Sequence, residues 1–148
     1  MAMHKDQLAV EVDTVRRLVD GQFPQWRALP VHRVSTAGTV NAIFRLGEDL
    51  AARFPLRPQE ERRVRDWLRA EAAAMREFAA VSRVPAPRPV AIGEPGGGYP
   101  LPWSVQTWLP GADAFQQAMG LVWYYAQSNP AMSRFGRRTL QRLARAWP

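Results

Sequence analysis

Cysteine is absent from this chain, lysine occurs once (Lys5), and no aspartate or glutamate follows Asp113. The first absence excludes disulfides and thiolate-held metals and points to a reducing compartment. The second puts nearly all positive charge on arginine: 20 basic residues less one lysine leave 19 arginines, a bias that GC-rich codon usage produces as readily as function. No apolar run approaches the roughly 20 residues needed to cross a bilayer. The opening stretch MAMHKDQLAVEVD has no hydrophobic signal core. A soluble, cytoplasmic chain is expected.

What is present suits one ordinary domain. Of 148 residues, 47% are hydrophobic and 22% charged, enough to bury a core and unlike a disordered segment. The net charge of +7 raises a nucleic-acid reading, because clustered cations displace phosphate counterions. Most arginines alternate with acids along helices, however, as in Glu60, Glu61, Arg62, Arg63, Arg65 and Asp66, so nucleic acid is the disfavoured partner.

Residues 6–19 carry Leu8, Val12, Val15 and Val19 at helical spacing, with Gly21 as a stop. Three β-like runs follow, at 31–37, 42–46 and 50–54, joined by glycine-containing turns into an antiparallel meander. A long helix is expected over 58–81, then strands at 90–93 and 103–109 around the loop 94–98, and helices at 115–126 and 132–146. The expected organisation is a lead-in over 1–30, a sheet-and-helix lobe over 31–111 and a helical tail over 112–148. The fold class is α+β: a five-stranded antiparallel sheet with one long helix, drawing its core from Ile43, Phe44, Leu46, Leu68, Met75, Phe78, Ile92, Val105 and Leu109.

Five strands with a long helix between the third and fourth is the layout of a protein-kinase-like N-lobe. The turn Ser35-Thr36-Ala37-Gly38-Thr39-Val40-Asn41 has small residues that let backbone approach phosphate oxygens, and hydroxyls that donate to them; a glycine between two strands is also an ordinary turn residue. A kinase needs a cation on its third strand. Arg53 is the sole candidate, since Lys5 precedes the sheet, although alone it reads as an exposed strand arginine. Glu71 falls seven residues after Val64, inside the apolar stripe of Val64, Trp67 or Leu68, Met75 and Phe78. A buried carboxylate requires a partner, because an unpaired one costs about 3–5 kcal/mol, and Arg53 is the cation that a kinase layout sets opposite it. The alternative is a boundary glutamate reaching solvent.

The stretches VSTAGTVNAIFRLGEDLAARFP and RAEAAAMREFAAVSRVPAPRPVAIGEPGGGYPLPWSVQTWLPG resemble the N-lobe of the aminoglycoside phosphotransferase family, within the wider choline-kinase-like group. The resemblance implies an ATP-holding lobe with Gly38, Thr39 and Asn41 near the phosphates, Arg53 as third-strand cation and Glu71 as its helix glutamate. It further implies a hinge at Gln106-Thr107-Trp108-Leu109 that touches adenine through its backbone. Val40 departs from the polar residue more usual in that turn.

The tail, AMGLVWYYAQSNPAMSRFGRRTLQRLARAWP, resembles the last helices of the same family. Between the two blocks the family has a His-Gly-Asp…Asn catalytic loop and a magnesium-binding Asp in an Ile-Asp-Trp-like strand. Neither occurs here: His4 and His32 lie upstream, and Asp113 is the last carboxylate side chain. Mg²⁺ requires one or two carboxylates, so the expectation is an internally deleted phosphotransferase, joined near 112–115, with no catalytic residue and no metal ligand of its own. A nucleotide- or protein-binding module without catalysis is the alternative. The run Leu121-Val122-Trp123-Tyr124-Tyr125 is apolar nearly all round and predicts self-association or a partner protein. Arg134, Arg138, Arg142 and Arg145 share one face of the last helix, which keeps an anionic-surface reading open.

Overall fold

The computed structural model describes residues 6–35 and 40–110. Its element order is α1 (Val12–Gln22), a short 3₁₀ turn (Pro24–Trp26), β1 (Val31–Val34), β2 (Asn41–Leu46), β3 (Leu50–Pro55), α2 (Glu61–Val81), β4 (Pro89–Gly93) and β5 (Trp103–Thr107). All five strands join one antiparallel sheet in the order β1-β2-β3-β5-β4. The expected meander and the five-stranded antiparallel sheet with one long helix are therefore present. The expected tail helices at 115–126 and 132–146, and residues 36–39 of the first turn, lie outside the described residues.

Two compact units divide the chain: Met1–Arg69 with Pro89–Trp108, and Ala70–Arg88 with Leu109–Pro148. In the first, β2 alternates strictly, with Ala42, Phe44 and Leu46 buried and Asn41, Ile43 and Arg45 half-buried. Ile43, expected in the core, thus lies on the other face. The β2–β3 turn closes because Gly47 adopts φ +59°, which a side chain would resist, while its N–H donates to Pro30 O at 2.9 Å.

Aromatic rings fill the core. Trp103 is fully buried, stacked on Phe54 at 4.9 Å between centroids and met edge-on by Phe23 at 5.6 Å. Tyr99 meets Phe54 edge-on, and its hydroxyl donates to Pro55 O at 2.6 Å. Burial pushes the Tyr99 phenol above its ordinary range, because the phenolate would lose its hydration.

The N-terminal segment joins this core through Val10, Val15, Leu18 and Val19. The helix begins at Val12 instead of Asp6 because the chain before it is extended: Leu8 N–H donates to Leu56 O at 2.8 Å, and Val10 is buried. Gln22 then closes a two-way link with Glu94, donating from Nε2 to its carbonyl at 2.8 Å and accepting its N–H at 2.7 Å.

Strong helix formers populate α2, and Glu61 sits favourably in its first turn. Val64 and Leu68 enter the core of the first unit, and Arg65 Nη2 bonds both Glu61 and Glu94. Of Trp67 and Leu68, offered together for one position of the buried stripe, Leu68 is the buried one and Trp67 is 40% exposed.

In the second unit, the rest of α2 buries Glu71, Ala72 and Phe78. Ser82 ends the helix: its N–H donates to Phe78 O, and its Oγ both donates to Val84 O and accepts the Val84 N–H. Among the described residues, no helix is long and apolar enough to cross a membrane.

Candidate functional site

Strand register separates the sheet residues into two sets, because successive side chains point to opposite faces. One set packs the core. The other follows from the pairs Val34↔Ile43, Ile43↔Arg53 and Arg53↔Ser104, with Arg45↔Ala51 and Ala51↔Gln106 one step along. This second face carries an apolar patch of Val34, Ile43 and Ala51, ringed by Asn41, Arg45, Arg53, Ser104 and Gln106.

Cross-strand contacts hold its polar groups. Arg53 Nη1 donates to Gln106 Oε1 at 3.2 Å, a diagonal pair between β3 and β5. Arg45 places its guanidinium carbon 5.2 Å from the Trp108 ring centroid and donates from Nη2 to Glu48 O at 3.1 Å. Trp108 N–H donates to Asp49 O at 2.7 Å, so the segment leaving β5 is tied to the β2–β3 turn. That N–H is thereby taken from the set a hinge could offer a ligand.

Among the described residues, Arg45 Nε and Ser104 Oγ, both sealed from solvent on this face, have no hydrogen-bond partner. A buried donor left unmade costs about 1–3 kcal/mol, and each such orphan calls for a specific explanation. The half-buried Arg53 beside an apolar patch suits an anionic molecule with a flat apolar body. A nucleotide therefore fits the residues present.

Of the residues singled out from sequence, Asn41, Arg53 and Gln106 come together on this face, and Trp108 lies at its edge against Arg45. Glu71 is buried at 9% exposure on the part of α2 in the second unit. Gly38 and Thr39 lie outside the described residues. Arg45 and Ser104 were not anticipated. The alternation of β2 contained a signal for Arg45; none existed for Ser104, whose place depends on how β5 registers against β3. Among the described residues no group of three or more His, Cys, Asp or Glu could hold a metal ion.

The sequence model of the phosphotransferase enzyme family, APH, matches residues 31–146. A comparison with curated proteins finds no match. Among solved structures, the GDP complex of wild-type aminoglycoside 2′-phosphotransferase-IIIa is similar at 17% identity and TM-score 0.62, over 89% of this chain and 46% of that one. The GDP complex of a point mutant of aminoglycoside 2′-phosphotransferase-IIIa gives 20% identity and TM-score 0.56, over 75% and 34%. The GDP and kanamycin complex of APH(2″)-IIia gives 18% and 0.57, over 86% and 44%. The chain thus spans less than half the length of these solved neighbours. With its sheet and helix matching their kinase-like N-lobe and the family match running through most of its residues, the chain belongs to the phosphotransferase enzyme family.

Proposed function

We propose that the sheet face bearing Asn41, Arg53, Gln106 and Trp108 binds a purine nucleoside phosphate, for which the family expectation is ATP. The observation that carries this reading is the co-facial placement of Arg53 with the apolar patch of Val34, Ile43 and Ala51. From Ala51 to Pro55, the register partner of Asn41, is four residues, about 13 Å at roughly 3.3 Å per residue. That run sets Gln106 and Trp108 towards one end of the face, for the base, and Asn41 towards the other, for the phosphates, with Arg53 between them; the phosphate-side roles of Gly38 and Thr39 rest on the family resemblance. The part given to Glu71 in phosphate binding rests on the family resemblance.

The parent activity is phosphoryl transfer from ATP to a small-molecule hydroxyl. We read this chain as an internally shortened member in which residues 31–111 form the nucleotide lobe, 1–30 its lead-in and 112–148 remnant helices. Phosphoryl transfer depends on an acceptor-facing Asp and on metal-held phosphates, and no carboxylate side chain follows Asp113. The chain alone therefore binds nucleotide without transferring phosphate, and its remnant helices drive self-association or partner binding.

Calorimetric titration of the full chain with ADP and ATP tests the binding. Saturable one-to-one binding is expected, weakened at least about tenfold in Arg53→Ala, as for loss of a charged phosphate contact worth roughly 1.5–3 kcal/mol. If neither nucleotide saturates the protein, the reading fails. Phosphorylation of any small hydroxyl compound above a no-protein control would overturn the inactivity.

A further inference from the structure

Arg62, Arg69 and Arg76 are all exposed and stand seven residues apart on α2. Seven residues make almost two full turns and climb about 10.5 Å, so the three arginines form one row about 21 Å long. Other arginines on this helix are spoken for: Arg63 pairs with Glu60 at 3.6 Å, and Arg65 with Glu61 at 2.6 Å and with Glu94. Among the described residues, Arg62, Arg69 and Arg76 enter no ion pair. That holds although Asp66 stands four residues after the first and three before the second. Beside the row, Ala73 and Ala80 are exposed and again seven apart, and side chains that small let a second helix axis come close.

Guanidinium forks grip carboxylates and phosphates alike; the period separates the candidates. A helix with an acid at every seventh residue repeats its charge at the same spacing of about 10.5 Å. Duplex DNA carries a charge about every 1.7 Å along its axis, so it gains nothing from this spacing, and three contacts release few counterions. A lipid surface is disfavoured because the apolar side of α2 is already buried, at Val64, Leu68, Ala72 and Phe78. The acids have to come from another protein. No aspartate or glutamate follows Asp113 in this chain. Among the described residues, its only helical carboxylates seven apart are Asp13 and Asp20, and Asp20 is held by Arg16 at 2.6 Å. A net charge of +7 also sets two copies against each other. We propose that the solvent face of α2 docks an acidic helix of a partner protein, its every-seventh carboxylates set against Arg62, Arg69 and Arg76. This docking is independent of nucleotide binding.

Fluorescence polarisation of the full chain at about 50 mM salt, where surface charge is weakly screened, tests this with two labelled alanine-glutamine peptides of about three heptads. One carries a glutamate at the same position of each heptad; the other has the same composition with its glutamates turned to different sides. The first is expected to saturate the protein and the second to bind at least about fivefold more weakly. Replacing Arg62, Arg69 and Arg76 together by Gln should weaken the first peptide about tenfold, the scale of three surface ion pairs. Replacing the exposed Arg17, Arg57 and Arg83 together by Gln removes equal charge and should change it less than about twofold. Arg69→Gln alone, with a loss of about twofold, decides the matter if the triple variant does not fold. Absence of binding, equal binding of the two peptides, or equal loss in the two triple variants overturns the proposal. Tighter binding of a short DNA duplex through the same three arginines, or dimerisation of the chain that their replacement abolishes, gives the face to another occupant and overturns it too.

Discussion

A β-carbon built on Gly93 would lie 2.1 Å from Trp103 Cε2, closer than any ordinary contact between carbons. The indole has no room to retreat, because it is fully buried against Phe54 and donates from Nε1 to Glu94 O at 3.1 Å. Gly93→Ala should therefore cost about 1–3 kcal/mol or more, as overpacking does, read as a lower urea midpoint. Tyr99 offers a test in pH. Its folded-state phenol titrates above the ordinary value of about 10, so the folded state holds its proton longer than the unfolded chain does. The associated stability is complete below about pH 10 and is lost as pH climbs past it. Tyr99→Phe should cost about 1–3 kcal/mol at neutral pH by leaving Pro55 O unsatisfied. The gap between wild type and variant should narrow at alkaline pH, as urea midpoints measured from about pH 7 to about pH 11 would show.

Among the elements, α1 is held to the sheet by packing and by one side-chain amide. Gln22→Ala removes both bonds to the Glu94 backbone. Faster amide exchange is expected at Glu94 and through the last turn of α1, with little change in β3. Much of this layer was legible in sequence. The β2–β3 hairpin followed from Gly47 between two apolar runs, and α2 from its stripe, with burial of Glu71 seven residues after Val64. Illegible parts depended on contacts distant in the chain. The extended start before α1 is set by Leu56, and the core role of Tyr99 by Phe54 and Pro55, more than forty positions upstream. At the candidate site, Arg53 could be chosen by eliminating Lys5, whereas its bond to Gln106 required the β3–β5 register. Alternation within one strand can be read from its residues; pairing of strands fifty residues apart depends on the whole sheet.

For the whole molecule, a net charge of +7 sets the field that an incoming polyanion meets. The proposed nucleotide affinity should weaken several-fold between about 50 and 500 mM salt, over which the Debye length shrinks from well above 10 Å to a few ångströms. The loss should be greater for the triphosphate than the monophosphate, and calorimetric titrations across that range would show it; a flat dependence would remove charge from the account. The sheet order also fixes how ready the site is. β3 lies third of five, hydrogen-bonded on both sides, where opening is costliest and exchange slowest. A guanidinium mounted on that rung keeps its address before any guest arrives, so little disorder has to be surrendered at capture. The proposed recognition should be fast and close to lock-and-key, with the strand as an anvil that stays still while its guest settles.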